Sequence, residues 1–289
     1  MSTRRDEGTL ARQCTAGPTL YFNSASPQGP PEAVIAVLHG YADYGGRYAH
    51  VLDAWAERGV ASVAIDMRGH GHAGGKRGFC EHFSEYLDDV SELTRLVEER
   101  APGVPAFLFG HSFGGLVATL AALDRPGRWR ALVLSGPYFG LALHVPRVKL
   151  IAGKIASKLA PAFGLPSQLR GADMTHDAAR IRAYDHDPLI FKNATARWFS
   201  ETEAAQARVL KEAPSLRLPL YLVMGMEDRC AKVESARQFF DAAGSTDKTW
   251  DGRAGLFHEV LNEPEWRSIA DAIADFVLAR KSGANPTVS

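Results

Sequence analysis

A serine flanked by glycines carries the strongest chemical signal in the chain. Ser112 lies in the stretch FGHSFGGL, where Gly110 and Gly114 complete a Gly-x-Ser-x-Gly motif. The motif follows an apolar run typical of a strand and opens a run typical of a helix, which is the setting of a nucleophile elbow. Glycines belong beside such a serine because the sharp turn brings neighbouring backbone close. The pattern predicts that Ser112 is a nucleophile.

A serine hydroxyl needs a general base before it can attack a carbonyl carbon. The sequence has ten histidines, and in elbow proteins the acid and the histidine follow the serine in chain order. His258 is the only histidine late enough, and it lies in GLFHEVLNEPE, between the last weak strand and the last helix. His111 is adjacent to Ser112 in sequence, but we do not expect it to be the base.

The third catalytic group must be an acid that holds the imidazole in the correct tautomer. Asp228 follows a predicted strand directly, in MGMEDRC, and the ends of parallel strands are where such sheets place their chemistry. We therefore favour Asp228. Glu227 is the main rival, and Asp241, Asp247 and Asp251 are further alternatives on a helix or an unclear strand.

Backbone N–H groups must stabilise the oxyanion that forms on the attacked carbonyl. The N–H of Phe113, directly after the nucleophile, is one expected donor. The second is expected from the loop LHGYADYGGRY, and we assign it to Tyr41, since Gly40 lets the backbone approach. His39 is expected to organise this loop and not to act as a base.

Five apolar runs without polar alternation predict the sheet that positions these residues. Such runs are typical of parallel strands covered on both faces. Helical patterns separate them, so the order of elements favours a doubly wound α/β sheet that is mostly parallel. The runs are residues 33–40, 60–66, 105–112, 130–136 and 218–225.

One interval, residues 137–217, contains no convincing strand. A structureless loop of that length is implausible in a compact domain, and the interval carries helical patterns instead. We predict a helical cap, or lid, at 137–217, inserted into a core formed by residues 1–136 and 218–289. After it the strand and helix rhythm resumes, with a weak strand near KTWDG.

Composition excludes several classes of protein. The 33 basic and 33 acidic residues cancel, so no overall charge favours nucleic acid as a partner. The three cysteines form no Cys-x-x-Cys pair, which indicates neither a disulfide framework nor a zinc site. The first residues do not resemble a secretory signal, and no apolar run approaches the roughly 18 residues of a membrane-spanning helix. We expect a cytoplasmic protein.

Several segments together resemble the α/β-hydrolase superfamily, and within it the monoacylglycerol lipase and lysophospholipase group of serine aminopeptidase-like hydrolases. The segments are LHGYADYGGRYAH, AIDMRGHGHAGGKRG, GHSFGG, DHDPLI, GMEDRC and FHEVLNEPE, and the resemblance runs from about residue 34 to 277. Phe113 replaces the methionine common in GHSMGG, and Ala73 replaces a small polar residue. The cap diverges almost freely, so the resemblance leaves the substrate open.

The resemblance implies a serine hydrolase that cleaves carboxylic esters of lipids through an acyl-serine intermediate. It implies neither a metal nor an organic cofactor. A monoacylglycerol lipase or a lysophospholipase is the first expectation. An aminopeptidase of the proline-iminopeptidase type, a short-chain carboxylesterase and a binding module without catalysis remain as alternatives. The peptidase needs an acid in the cap to hold a substrate ammonium, and Glu201 and Glu203 are the residues that could serve.

The cap begins with a basic block, because residues 125–172 contain no Asp or Glu. We expect an apolar helical stripe there to pack over the active site and guide an acyl chain. The alternative is that the block lies on an anionic lipid surface as a peripheral membrane contact. The stripe is Val148, Ile151, Ile155, Leu159 and Phe163, and the basic residues of another face are Arg147, Lys154 and Lys158.

Overall fold

A sheet of eight strands runs through the molecule, beside a smaller sheet of two short strands. The computed structural model describes residues 3–142, 147–167 and 169–282, without the side chains of residues 147–151 and 165. The ten strands of the described residues are β1 (Arg4–Leu10), β2 (Leu20–Ser26), β3 (Ala33–Leu38), β4 (Val60–Asp66), β5 (Ala106–His111), β6 (Leu132–Ser135), β7 (Gly164–Pro166), β8 (Asn193–Thr195), β9 (Leu220–Gly225) and β10 (Lys248–Arg253).

The large sheet is parallel apart from one edge. Its strand order is β1-β2-β4-β3-β5-β6-β9-β10, and only β1 and β2 run antiparallel to their neighbours. Strands β3, β4, β5, β6 and β9 are apolar and almost entirely buried, as expected for strands covered on both faces. The predicted mostly parallel α/β fold is confirmed.

Helices cover both faces of the sheet, which makes the fold doubly wound. Helices α1 and α9 bury one face, and α2, α3, α7 and α8 cover the other. The helices of the described residues are α1 (Ala49–Glu57), α2 (Ser84–Arg100), α3 (Phe113–Asp124), α4 (Arg147–Leu159), α5 (Gly171–Met174), α6 (Ala178–His186), α7 (Ala196–Glu212), α8 (Val233–Ala242) and α9 (Trp266–Leu278). None of these helices has both the length and the apolar character needed to cross a membrane.

The strands β1 and β2 were not predicted from the sequence. Strand β1 is charged and mostly exposed, with the sequence RRDEGTL, and β2 carries polar residues on its half-exposed face. Neither pattern has the apolar continuity of the central strands. Their strand conformation therefore depends mainly on backbone hydrogen bonds, because β1 pairs antiparallel with β2, and β2 with β4.

The interval between β6 and β9 is mainly helical, as its sequence indicates. It contains α4 to α7, and the strands β7 and β8 pair with each other over only three residues each. Three residues are too few to produce a recognisable strand pattern, so this small sheet was not predicted. Helix α6 was also missed, because its apolar residues follow no clear helical spacing.

Candidate active site

Ser112 occupies the sharp turn between β5 and α3. Its backbone φ is 52°, and Ala42 is the only other non-glycine residue with positive φ in the described part of the chain. Such conformations cost on the order of 1–3 kcal/mol and persist only where the surroundings impose them. Here the Ser112 N–H donates to the Ser135 carbonyl at 2.9 Å, and its carbonyl accepts the N–H of Tyr138 at 3.0 Å. The neighbouring strand β6 and its loop thus hold the strained turn.

The flanking glycines are required by close packing of the backbone. A Cβ on Gly110 would overlap the carbonyl group of Gly114, one turn later. A Cβ on Gly114 would overlap the carbonyl oxygens of Leu38 and His39 at the end of β3. Any larger residue at either position would push α3 away from the sheet and move Ser112.

Three side chains from separate loops form a continuous hydrogen-bonded chain. The Ser112 hydroxyl lies 2.8 Å from His258 Nε2, and His258 Nδ1 lies 2.7 Å from Asp228 Oδ2. The other oxygen of Asp228 accepts the N–H groups of Cys230 and Ala231, at 2.7 and 2.8 Å. The structure therefore brings together the predicted nucleophile, base and acid, and fixes the acid from both sides.

Electrostatics around His258 favour its protonated form. The imidazole is buried, and burial by itself disfavours a positive charge. The nearby Asp228 carboxylate outweighs this effect, so the pKa of His258 is raised above its ordinary value. The Asp228 carboxylate would likewise stabilise the imidazolium that forms when His258 takes a proton from Ser112.

The rival acids are placed elsewhere. Glu227 points to solvent. The carboxylates of Asp241, Asp247 and Asp251 form ion pairs with arginines distant from the serine, namely Arg237, Arg280 and Arg253.

His111 is also unsuited to the role of base. Its Nδ1 lies 3.2 Å from the Ser135 hydroxyl, and complete burial lowers the pKa of its imidazole to about 4. His258, and not His111, is the histidine that reaches the Ser112 hydroxyl.

The loop after β3 lies against the nucleophile. A Cβ built on Gly40 would be 3.4 Å from the Ser112 Cβ, so the backbone at this position touches the serine. Residue Ala42 has φ 56°, which turns the loop back immediately after Tyr41. The N–H groups of Tyr41 and Phe113 donate no hydrogen bond to any described residue, so both remain available to donate to an acceptor at the site.

His39 ties this loop to the neighbouring loop after β4. Its Nε2 accepts the N–H of Met67 at 3.0 Å, and its Nδ1 lies 2.7 Å from the Gly40 carbonyl oxygen. The side chain is completely buried and does not reach Ser112. This is the place expected of a residue that organises the loop.

A buried network of charges behind His258 was not predicted from the sequence. Arg47 pairs with Asp43 at 2.9 Å and, through both terminal nitrogens, with Glu259 at 2.7 and 2.8 Å. Burial alone would raise the pKa of Glu259, but Arg47 outweighs it and holds this pKa below its usual range. The network joins the loop after β3 to the loop that carries His258. Two sequence features could have indicated this network. Glu259 directly follows His258, and Arg47 lies within LHGYADYGGRY.

Among the residues that the structure describes, no group of three or more histidine, cysteine, aspartate or glutamate side chains is arranged to hold a metal ion.

A mostly parallel sheet with a strained serine after its central strand, and with aspartate and histidine on the loops after β9 and β10, defines an α/β-hydrolase. The family model of the serine aminopeptidases, S33, matches residues 29–265. The chain belongs to this family.

The relatives of this chain include lipid hydrolases. It is 31% identical to the monoacylglycerol lipase of Mycolicibacterium smegmatis over 96% of this chain and 99% of that protein. It is 30% identical to phospholipase YtpA of Bacillus subtilis over 85% of this chain and 95% of that protein. The crystal structure of Paleococcus ferrophilus monoacylglycerol lipase has a TM-score of 0.80 at 24% identity, covering 97% of this chain and all of that one. The structural likeness supports the fold, and the two sequence relatives are a lipase and a phospholipase.

Proposed function

We propose that this protein hydrolyses carboxylic esters of lipids, as a monoacylglycerol lipase or a lysophospholipase. The observation that carries the proposal is the unbroken hydrogen-bonded chain from Ser112 through His258 to Asp228. A serine activated in this way attacks acyl carbonyl groups. The curated relatives, a monoacylglycerol lipase and a phospholipase, support a lipid ester as the substrate.

The proposed reaction has two halves. In the first, Ser112 Oγ attacks the acyl carbon while His258 Nε2 takes the hydroxyl proton, and the Asp228 carboxylate stabilises the imidazolium. The bond to the alcohol then breaks, and His258 returns the proton to the departing alcohol oxygen. In the second half, water attacks the acyl-Ser112 ester with His258 again as base. The bond from the acyl carbon to Ser112 Oγ then breaks, His258 returns the proton to Ser112 Oγ, and the fatty acid leaves.

The oxyanion of each tetrahedral intermediate would be held by the N–H groups of Tyr41 and Phe113. Two observations support this role: Gly40 packs directly against Ser112, and both N–H groups lack another acceptor among the described residues. Donors fixed in advance at the position of a developing charge supply a large share of the rate enhancement in such enzymes.

We also propose that residues 137–217 form a cap on a core made of residues 1–136 and 218–289. The support is topological, because β6 and β9 are hydrogen-bonded neighbours in the sheet and the described residues of the interval between them contribute no strand to it. The divergence of this interval then bears on substrate choice.

The aminopeptidase alternative is less well supported. A substrate ammonium would need a free acid in the cap, and both acids considered for that role are already engaged. Glu201 accepts the N–H of Phe83 at 2.9 Å, and Glu203 pairs with Lys154 at 3.1 Å.

A panel of substrates tests the proposed function. We expect kcat/KM for octanoyl and oleoyl monoacylglycerols or lysophospholipids to exceed that for acetyl esters by at least about tenfold. Each buried methylene contributes about 0.8 kcal/mol, so even partial burial of a longer chain is sufficient. Preference for acetyl p-nitrophenyl esters would replace the proposal by a short-chain carboxylesterase, and turnover of aminoacyl amides alone would replace it by a peptidase.

We further propose that α4 contacts lipid surfaces. The expectation that the apolar stripe of α4 and the turn after it packs over the active site is wrong for the described part: Ile155, Leu159 and Phe163 are 54%, 81% and 56% exposed. Ser157 on another face is buried against α7, where its carbonyl accepts from Arg197. An exposed apolar stripe beside exposed lysines is typical of helices that lie on anionic membranes. The remaining stripe residues, Val148 and Ile151, lie outside the described side chains.

Binding to vesicles of phosphatidylcholine and phosphatidylglycerol measures this contact. We expect Leu159→Ser to weaken binding about tenfold, because burying a leucine side chain contributes roughly 1.5–3 kcal/mol. Met226 is 44% exposed and distant from α4 in sequence, so Met226→Ser is the matched control and should bind like the parent protein. Equal binding of all three proteins would exclude the stripe as the contact.

A further inference from the structure

The side chain of Tyr41 leaves the loop after β3 and docks on residues 191–198, which lead into α7. Its hydroxyl donates to the Asn193 carbonyl oxygen at 2.7 Å. Its ring lies against that of Trp198, with centroids 3.8 Å apart and planes tilted by 33°, and meets Phe191 edge-on at 5.2 Å. The backbone of Tyr41 therefore lies in the loop beside Ser112, while its side chain contacts the interval between β6 and β9.

A second hydrogen bond anchors the same segment to the core. The Thr195 hydroxyl donates to the Gly78 carbonyl oxygen at 2.6 Å, and Thr195 also caps the first turn of α7 by accepting the Trp198 N–H. Two hydrogen bonds thus tie segment 191–198 to the core, one from Tyr41 and one to Gly78. When the segment is docked, Trp198 has a fixed position.

Trp198 contacts the residues of both proposed oxyanion donors. Its ring lies 3.8 Å from that of Tyr41 and 5.3 Å from that of Phe113, between centroids, and the rings of Tyr41 and Phe113 are themselves 6.2 Å apart. Phe113 is completely buried at the start of α3 and cannot move independently of the helix. The aromatic contacts therefore fix Tyr41 relative to the immobile donor.

The backbone next to Tyr41 needs such an anchor. Ala42 has a left-handed φ of 56°, and a non-glycine residue keeps this conformation only when its surroundings impose it. If the Tyr41 side chain were released, the strained peptide after it could relax and turn the Tyr41 N–H away from Ser112. A shift of about 1 Å in a positioned group is enough to lower a rate severely.

We propose that Tyr41 is a positioning residue, whose side chain holds its own N–H in the oxyanion site by docking on residues 191–198. The inference rests on the proposed function, because it takes the Tyr41 N–H as an oxyanion donor. It follows that the oxyanion site is complete only when this segment is docked. Undocking of the segment would slow the chemical step even with the Ser112, His258 and Asp228 chain intact.

Steady-state kinetics with a p-nitrophenyl octanoate substrate test the proposal. We expect Tyr41→Phe, which removes only the bond to Asn193, to lower kcat about 3- to 10-fold. Tyr41→Ala, which also removes the ring contacts, should lower kcat about 10- to 100-fold, since loss of a whole oxyanion donor costs about 10²- to 10³-fold. KM should change less than about threefold in both variants, because the defect arises only as the oxyanion forms.

A trifluoromethyl ketone, which forms a tetrahedral adduct with a reactive serine, separates positioning from substrate binding. Its inhibition constant should rise in each Tyr41 variant by about the same factor as kcat falls. Thr195→Val releases the second anchor and should reproduce the kcat effect, in smaller size, with unaltered KM.

Tyr86→Phe is the matched control. Tyr86 packs edge-on against Phe113 at 4.9 Å, but its buried hydroxyl makes no hydrogen bond to Tyr41 or to residues 191–198. The kcat of the Tyr86→Phe variant should equal that of the parent protein. A parent protein without ester hydrolysis would refute the proposed function. An active parent whose Tyr41 variants keep kcat, or lose activity only through KM, would instead refute the positioning role alone.

Discussion

Replacement of Ser112 by alanine should reduce kcat for ester hydrolysis on the order of 10⁶-fold, as removal of the nucleophile does in serine hydrolases. Only the hydroxyl that lies 2.8 Å from His258 is lost. The turn keeps its backbone hydrogen bonds from Ser112 N to Ser135 and from Tyr138 to the Ser112 carbonyl, and alanine meets the same backbone strain as serine. The thermal unfolding midpoint should therefore stay close to that of the parent protein.

Covalent labelling tests directly whether Ser112 is the activated serine. A fluorophosphonate probe reacts with activated serines, so it should label the parent protein and leave the Ser112→Ala variant unlabelled. Ser135 serves as an internal control, because its hydroxyl lies near His111 and not near His258. Absence of labelling in the parent protein would indicate a binding module in which the elbow is retained without catalysis.

Replacement of Asp228 by asparagine should lower kcat about 10⁴-fold while preserving the fold. One carboxylate oxygen accepts the N–H groups of Cys230 and Ala231, so the amide oxygen of asparagine must take that place. The amide nitrogen then faces His258 Nδ1, where two donors would meet. The imidazole is forced into the tautomer with its proton on Nε2, which cannot accept the proton of Ser112.

The pH profile of the Asp228→Asn variant provides a second measurement. A base must be neutral, so kcat/KM of the parent protein should fall as the pH drops through the raised pKa of His258. The Asp228 carboxylate is what raises this pKa, so the acid limb of the residual activity should move to lower pH in the variant. The exposed Glu227 supplies the matched control, since Glu227→Gln should retain both rate and profile. The reverse pattern, loss of activity in Glu227→Gln alone, would make Glu227 the acid.

The central strands and the elbow were predictable because their signals are local. Buried parallel strands are continuous apolar runs, and the predicted strand at residues 60–66 coincides with β4. The position of Ser112 followed from the motif and its strand–turn–helix setting. Asp228 and His258 could be named because chain order and the ends of strands restrict the choice, although their hydrogen bonds to each other depend on the complete fold.

The features that escaped prediction depend on partners distant in sequence. Arg47 and Glu259 are separated by 212 residues, and nothing in either segment alone indicates that their charges would be buried together. The apolar stripe of α4 has the spacing of a packed helix, yet Leu159 is largely exposed. Periodicity identifies the apolar face of a helix but does not say whether protein, lipid or water covers it. The docking of Tyr41 on residues 191–198 is likewise a product of tertiary structure.

The charged outer strand β1 has a consequence for the behaviour of the protein at high concentration. The unpaired edge of a large sheet is a template on which another chain can add a strand, and this is a common start of aggregation. Arg4, Arg5, Asp6 and Glu7 occupy that edge, and all four are exposed. A strand added there would have to desolvate charges of both signs. At this edge, the apolar strands of the sheet are separated from other molecules by a charged strand that resists edge-to-edge association.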